Sequence, residues 1–314
     1  MSAVEQAQKQ LNIDKVVQGG LTWLNIVHPT QAEMQYLREH YDFHPLALDD
    51  CLSRTQVPKV DEYGNYLFLV LHFPLFNQEQ RLTTPSEVDI FVGADYVITV
   101  HEGELRPLNK LFEDCKNSEL VRASVMGRSS GYLLYRILKG LVAYCIPILN
   151  KLVEQVEHLQ TVIFDLRARD LLRELAIVRR DILSYRRIVR PGIDVTAFLE
   201  RKQYPFLSVT PDVYFGDLSD NLRHVWTELE ELKEVIEGLY DTHISRATIR
   251  TNEIMRILTA LFTATLPGAL IASIYGMNVS LPMENSPYAF AVLMMVAGGI
   301  TGGLLLLMRR WRWF

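Results

Sequence analysis

A short polar stretch near the C-terminus separates two long uncharged runs of the sequence. It reads IYGMNVSLPMENSPYAF over residues 274–290, and Asn278 places a neutral carboxamide within it. A carboxamide oxygen accepts hydrogen bonds from water, and asparagine is also common at the C-terminus of a helix. Asn278 could therefore contact a hydrated solute or cap a helix. The sequence contains no nucleophile–base pair or cofactor fingerprint, so it predicts no enzyme.

The two runs around this stretch have the length and composition of membrane spans. They cover residues 257–275 and 288–308, and neither contains a charged residue. About 20 apolar residues are needed to cross ~30 Å of hydrocarbon. A core helix of a soluble protein rarely stays uncharged for so long. The sequence therefore predicts two transmembrane helices.

The charges beside these runs indicate their orientation. The second run ends in MRRWRWF, which combines arginines with interfacial tryptophans, and Arg246, Arg250 and Arg256 flank the start of the first run. Positive charge marks the cytoplasmic side of a membrane. The N-terminal residues MSAVEQAQKQLNIDK lack the pattern of a signal peptide. We therefore expect a hairpin with both termini in the cytoplasm and only residues 278–287 outside.

The overall composition excludes several classes of protein. The net charge is -5 and the pI is about 5.9, whereas nucleic-acid binders usually show a basic patch. Cys51, Cys115 and Cys145 are scattered without CxxC spacing, which predicts neither a disulfide framework nor a thiolate metal site. The cysteines are typical of a reducing compartment.

The chain ahead of the membrane divides into an α/β part and a helical part. GGLTWLNIVHP, NYLFLVLHFPLF and SEVDIFVGADYVITVHEG predict strands, and PTQAEMQYLREHY and HPLALDDCL predict helices between them. Helical periodicity follows over residues 129–190, and Pro191 and Pro205 predict breaks before the last helix. The periodic residues of this part are Leu133, Ile137, Leu141, Ile148, Leu152, Val156 and Leu159.

A very long helix is predicted to begin at Thr210-Pro211-Asp212, where a hydroxyl N-cap precedes a proline in the first turn. If it continues through residue 275, it is roughly 100 Å long at 1.5 Å per residue. An apolar seam follows its first half, and this seam could pack against the helices of residues 129–190 or against another subunit. The seam consists of Leu218, Leu222, Val225, Leu229, Leu232, Ile236 and Leu239.

Two spans cannot enclose a pore, because a polar solute needs protein on all sides. The hairpin is then either an anchor or part of an oligomer. Residues 275–278, YGMN, lie at the outer end of the first span, and a short loop, a second span and a basic tail follow. This arrangement closely resembles the CorA family of divalent-cation channels. The likeness extends over nearly the whole chain and includes QVPKVDEYGNYLFLVLH, EVDIFVGADYVITVHEG and VYFGDLSDN.

The resemblance implies a funnel-shaped homopentamer. Each subunit would have an α+β cytoplasmic N-terminal domain, a long helical stalk and two C-terminal transmembrane helices. The expected parts are an α/β domain over 1–128, a helical hairpin or bundle over 129–210, a stalk over 211–256, a pore-lining span over 257–275, an outer loop over 276–287, a second span over 288–308 and a basic tail over 309–314.

The resemblance also implies a function. The expected function is that of a channel-type transporter in the inner membrane, which would carry hydrated Mg²⁺ into the cytoplasm, with Co²⁺ and Ni²⁺ as further candidates. The membrane potential would drive the flow and cytoplasmic Mg²⁺ would close the channel. Mg²⁺ is thus both cargo and regulator, with no organic cofactor and no nucleic-acid partner.

The family motifs assign roles to individual residues. Gly276, Met277 and Asn278 match the signature triplet at the pore entrance, and Pro267 matches a proline of the pore helix. Mg²⁺ gives up its water reluctantly, so a ring of Asn278 carboxamides suits its hydration shell. Asn252, Met255 and Leu258 match positions that line the narrow inner pore of the family. Extended outward at helical spacing, with Thr259 as the alternative to Leu258, they give a stripe consisting of Asn252, Met255, Leu258, Phe262, Leu266, Ala269 and Ser273.

The regulatory site is implied by an acidic segment of the family. Asp217 and Asp220 match its two carboxylates, the first of which binds Mg²⁺ between subunits. The partner carboxylate in the N-terminal domain would be Glu79 or Asp89. The outer loop departs from the family pattern, because VSLPMENSPY contains only one acidic residue, Glu284. Attraction of cations to the mouth is therefore expected to be weaker or placed differently.

Two alternatives remain at this point. A Zn²⁺ transporter of the ZntB-like branch would use the same scaffold, but its signature typically has Ile where Met277 stands. A membrane-anchored metal sensor would bind cations without conducting them. Ion flux distinguishes all three.

Overall fold

The computed structural model describes residues 11–53, 57–163, 171–277 and 286–311. The chain forms two compact units, Met1–Leu239 and Tyr240–Phe314. One helix, α7, has residues in both units.

The first unit is built on a six-stranded mixed sheet in the order β1-β2-β6-β5-β4-β3, in which only β2 and β6 pair in parallel. The predicted strands are confirmed. The sequence did not reveal β1 and β3, because both are edge strands with mainly exposed or half-buried residues. The strands are β1 Ile13–Gln18, β2 Leu21–Val27, β3 Lys59–Glu62, β4 Leu67–Asn77, β5 Leu82–Val92 and β6 Tyr96–His101.

Two short helices cover one face of the sheet. Helix α1, Gln31–His40, begins with a capping box in which Thr30 and Glu33 exchange hydrogen bonds with each other's backbone. Helix α2, Pro45–Asp50, begins with proline in its first turn. Both helices contribute to a hydrophobic cluster with Phe91 of the sheet, so this face of the sheet has its own core.

Four helices cover the other face: α3 Arg106–Asn117, α4 Glu119–Met126, α5 Ser130–Val162 and α6 Leu171–Arg201. The expected break at Pro191 is wrong, because α6 continues through it to Arg201. Proline removes one helical hydrogen bond, but buried Ile188, Val189 and Ile193 hold the helix against the core on both sides. The expected break at Pro205 is confirmed, because this residue begins a short 3₁₀ turn between α6 and the next long helix.

The long helix α7 runs from Pro211 to Tyr275 and confirms both the predicted start and the predicted continuity. Six of its seven seam residues are buried within the same chain, and Leu239 packs against the same core. The seam therefore packs on helices of its own chain, which decides the alternative that the sequence left open.

The buried seam predicts a large cost for truncation. Leu229 is fully buried, so Leu229→Ala is expected to lower the free energy of unfolding by about 2–5 kcal/mol through lost packing and a cavity. Val213→Ala on the same helix is the matched control, because Val213 is 65% exposed. Thermal unfolding of the full chain followed by circular dichroism compares the two. Equal midpoints would contradict the buried position of the seam.

The second unit contains the C-terminal part of α7 and helix α8, Ala289–Arg310. Within the described residues, three helices are long and apolar enough to cross a membrane: α5, α7 and α8. Half of the apolar window of α5 is buried inside the first unit, whereas only 6% of the windows of α7 and α8 is buried. Apolar surface of this extent needs a covering such as lipid or other subunits.

Candidate functional site

The residues predicted to line a pore form one stripe on α7. Their spacing of three and four residues places them on one face of the helix. All seven are exposed in the single chain, including the large side chains of Met255, Phe262 and Leu266. The stripe carries no charged residue. It is therefore an uncharged, largely apolar surface without cover from its own chain.

The hydroxyl groups near this stripe are used by the helix itself. Thr259 donates a hydrogen bond to the carbonyl of Met255 at 2.8 Å, and Thr265 donates to that of Leu261 at 2.9 Å. Such bonds within a helix satisfy hydroxyls that face apolar surroundings. The threonines consequently add little polarity to this part of α7.

Pro267 lies inside α7 and is buried. Its ring nitrogen has no hydrogen to donate to the carbonyl four residues earlier. Close by, Thr301 of α8 donates to the carbonyl of Ala264 at 3.5 Å. The two apolar helices are thus in contact where the hydrogen bonding of α7 is interrupted.

Gly276, the first residue of the triplet, lies in a tight turn at the C-terminal end of α7. The Gly276 N–H donates to the carbonyl of Ala272 at 3.0 Å, and Met277 donates to Ile274 at 3.2 Å. A β-carbon on Gly276 would lie 3.1 Å from the Ala272 oxygen, so a larger residue would crowd this turn. Asn278 and Glu284 lie outside the described residues.

Asp217 sits on α7 beside two side chains of α5. Its Oδ2 accepts a hydrogen bond from the Tyr135 hydroxyl at 3.3 Å and lies 3.4 Å from Lys139 Nζ. The pKa of Lys139 is raised mainly by its hydrogen bond to the Tyr135 hydroxyl and to a smaller extent by Asp217. The ammonium group therefore stays charged. Asp220 is strongly exposed and lies 3.2 Å from Arg223. Both carboxylates are exposed on the surface of the chain.

Sequence reasoning missed Tyr135 and Lys139 as partners of Asp217. They are four residues apart on α5 and thus share one helix face, but only the packing of α5 against α7 brings them to a carboxylate. A cationic side chain at this point partly neutralises Asp217. Any divalent cation that binds there has to compete with it.

The two carboxylates suggested as partners of Asp217 have opposite environments. Glu79 is exposed in the turn between β4 and β5. Asp89 is only 3% exposed, and its burial and the neighbouring Glu87 raise its pKa well above the ordinary value. Glu79 is accessible on the surface of the chain, whereas Asp89 is enclosed within it. In the described part of one chain, no three His, Cys, Asp or Glu side chains converge as a metal site.

Comparison with known proteins assigns this architecture to a family. The sequence model described as "CorA-like Mg2+ transporter protein" matches residues 18–310. The Bacillus subtilis protein YfjQ is 29% identical over 96% of this chain and 93% of its own length. The cobalt/magnesium transport protein CorA of Thermotoga maritima is 25% identical over 93% of this chain and 83% of its own.

A solved structure supports the fold. The complete structure of the CorA magnesium transporter from Methanocaldococcus jannaschii covers 96% of this chain, and the match covers 94% of that chain. The TM-score is 0.79 at 24% sequence identity. The mixed-sheet N-terminal part, the long helix and the apolar C-terminal helices therefore recur together in both proteins.

Proposed function

The chain belongs to the family of CorA-like Mg²⁺ transporter proteins, which transport divalent cations across membranes, and from this premise we propose that it is a channel for hydrated Mg²⁺. Gly276, Met277 and Asn278 form the entrance. The stripe from Asn252 to Ser273 lines the passage. The observation that carries the proposal is this uncharged, uncovered stripe on the helix that leads to the entrance.

The passage requires several copies of the chain. Each chain supplies two apolar helices, α7 and α8. Two helices cannot surround a polar solute, which must be enclosed by protein on all sides within a bilayer. We propose a homopentamer in the inner membrane in which the α7 stripes face one another. Both termini lie in the cytoplasm, with spans over residues 257–275 and 288–308.

The chemistry of the entrance suits a hydrated ion. Mg²⁺ holds its waters tightly, so carboxamide oxygens of Asn278 accept hydrogen bonds from its water shell and need not replace it. A neutral ring also avoids trapping a divalent cation. Below the entrance, the apolar stripe repels a hydrated ion when narrow and admits it when the passage widens and fills with water.

The membrane potential supplies the driving force. A divalent cation gains about 4.6 kcal/mol per 100 mV, twice the value of a single charge. The sequence has no P-loop that would indicate ATP hydrolysis.

Closure by cytoplasmic Mg²⁺ is assigned to the exposed carboxylates of α7. We place the ion between Asp217, with Asp220 nearby, and a carboxylate of the neighbouring subunit. Of the two suggested partners, exposed Glu79 suits a bridge between subunits better than buried Asp89. Loss of the ion leaves like charges across the interface, and their repulsion favours separated subunits. The bound ion shifts this equilibrium by its differential affinity for the two states.

Lys139 gives this assignment a specific test. Its ammonium group competes with Mg²⁺ for Asp217, so Lys139→Gln is expected to shift inhibition to Mg²⁺ concentrations lower by a factor of up to about 5, the scale of an exposed ion pair. Lys139→Arg keeps the charge and serves as the control. Inhibition curves are measured by flux at varied internal Mg²⁺. If the inhibition curve of Lys139→Gln coincides with that of the wild type, Lys139 does not compete with regulatory Mg²⁺ for Asp217.

Uptake into liposomes tests the function itself. The purified full chain is reconstituted, and uptake of Mg²⁺, Co²⁺, Ni²⁺ and Zn²⁺ is compared with that of empty liposomes. The proposal predicts rapid Mg²⁺ uptake. Uptake of Zn²⁺ without Mg²⁺ would instead support a ZntB-like transporter, and cation binding without any uptake would support a sensor.

A further inference from the structure

A group of arginines lies beside the start of the first span and the end of the second. Arg250 and Arg256 are on α7, and Arg309 and Arg310 are the last two residues of α8. All four side chains are exposed, and none forms an ion pair with any residue that the structure describes. Glu253 is the only acidic residue of α7 beyond residue 241, and α8 has none. The described chain therefore leaves most of this positive charge unneutralised.

The contacts between α7 and α8 set the relative level of these arginines. Thr301 of α8 donates a hydrogen bond to the carbonyl of Ala264 of α7 at 3.5 Å. Pro267 and Ala297 are the two buried residues of the second unit among those that the structure describes. The numbers rise along α7 as they fall along α8, which is the register of two antiparallel helices.

This register brings Arg256 and Arg309 to the same level. Each lies eight residues, about 12 Å along the helix axis, from the hydrogen bond between the two helices. Ala260 and Leu305 lie one turn closer to that bond and are half-buried, so each arginine follows the face that its helix turns toward the other. Two positive groups thus converge at one end of the groove between α7 and α8, where they repel each other unless an anion lies between them.

This end of the groove is separate from the proposed passage. Met255 of the stripe and Arg256 are consecutive, so their side chains point about 100° apart around α7. The stripe is uncovered, whereas Pro267 is buried and Ala260 is half-buried on the side toward α8. An anion bound by Arg256 therefore lies beside α8 and the surrounding lipid, outside the path of the cation.

The surroundings of the arginines indicate the kind of anion. The planar guanidinium group of arginine binds phosphate through two parallel hydrogen bonds. Trp311 follows the arginines of α8 and is 67% exposed, and tryptophan prefers the level of the lipid headgroups. Next to them, Leu306 of α8 is 68% exposed and offers apolar surface. A ligand with both a phosphate and hydrocarbon chains fits this combination.

We propose that the end of the groove between α7 and α8 binds the headgroup phosphate of one anionic phospholipid. Arg256 and Arg309 hold the phosphate, and Arg250 and Arg310 add positive charge around it. The acyl chains lie along the exposed apolar side chains of α8. A zwitterionic lipid carries a positive group of its own, which the arginines repel, so the site prefers a lipid with net negative charge. This inference rests on the proposed membrane spans and does not require ion conduction.

Brominated phosphatidylglycerol is the probe, because bromine on its acyl chains quenches the fluorescence of nearby tryptophan. The full chain in neutral detergent should show saturable quenching, since Trp311 lies beside the site, whereas Trp23 and Trp226 lie in the first unit. Brominated phosphatidylcholine should bind at least about tenfold more weakly, the scale of one charge-assisted contact.

Arg256→Gln and Arg309→Gln are each expected to weaken binding of phosphatidylglycerol at least about tenfold, because each removes one charge-assisted contact. Residues that hold the same group are not additive. The double variant should therefore lose less than the product of the two single losses. Both arginines are exposed, so neither substitution disturbs a packed core.

Arg187→Gln is the matched control, since it removes the same charge from an exposed position of α6 in the first unit. It should bind phosphatidylglycerol like the wild type. Losses in Arg256→Gln and Arg309→Gln no larger than in this control would overturn the proposal, as would equal binding of the two lipids. Displacement of the lipid by inorganic phosphate at constant ionic strength would assign the site to a soluble anion and overturn it as well. Because quenching reports lipid binding, such a failure is distinct from a failure of ion flux.

Discussion

Asn278→Ala is expected to reduce Mg²⁺ uptake to the level of empty liposomes while the protein still assembles. The substitution removes the ring of acceptor oxygens that would hold the water shell of Mg²⁺. The change is small in volume and leaves the apolar packing of the spans unchanged. Uptake is measured with an internal Mg²⁺ indicator, and assembly is measured by size-exclusion chromatography with light scattering.

Asn150→Ala is the matched control for this experiment. Asn150 is exposed on α5 in the first unit, so its loss should leave uptake unchanged. The competing interpretation of Asn278 is a helix C-cap. A well-assembled Asn278→Ala protein that transports like the wild type but unfolds at a lower temperature would establish that interpretation and exclude Asn278 from selectivity.

Asp217→Ala is expected to weaken inhibition by internal Mg²⁺ by an order of magnitude or more. The bridge loses a carboxylate, and a charge-assisted contact of this kind contributes about 1.5–3 kcal/mol. The fold should persist, because Asp217 is exposed and its pairing with Lys139 contributes at most about 1 kcal/mol. Glu79→Gln should shift the curve in the same direction if Glu79 is the partner.

Asp217→Lys tests the same site by replacing its negative charge with a positive one. It replaces a bound cation with a tethered one, so the closed form should persist without Mg²⁺ and resist proteolysis in its absence. Asp212→Ala is the control, because Asp212 is an exposed carboxylate in the first turn of the same helix. If Asp212→Ala and Asp217→Ala leave the same inhibition curve as the wild type, Asp217 is only a charge stabilised by the helix dipole.

Much of the fold follows from local sequence patterns. The aromatic and β-branched runs indicated β2, β4, β5 and β6, and Thr210-Pro211 indicated the start of α7. The polar edge strands lacked this signal. The helix through Pro191 needed information that is not local, because buried neighbours on both sides of the proline decide whether the helix continues.

The sites depend more strongly on tertiary packing. The family resemblance at Asn252, Met255 and Leu258, extended at helical spacing to Ser273, was enough to define the stripe. The pairing of Asp217 with Lys139 depends on how α5 packs against α7 and could not be predicted. The burial of Asp89 could have been predicted from the sequence, because it lies two residues before Phe91 in β5. Residues two apart in a strand point to the same face of the sheet, and Phe91 is buried on that face. Its enclosure by the end of α2 appears only in three dimensions.

Dependence of uptake on the membrane potential tests the central claim most directly. Liposomes containing the full chain receive an imposed potassium diffusion potential, without ATP. With 100 mV negative inside, the account predicts that Mg²⁺ accumulates beyond equal concentrations, toward a limit above a thousandfold, and that reversing the potential stops accumulation. Uptake that ignores the sign of the potential, or that requires a proton gradient or ATP, would contradict a channel driven by voltage alone.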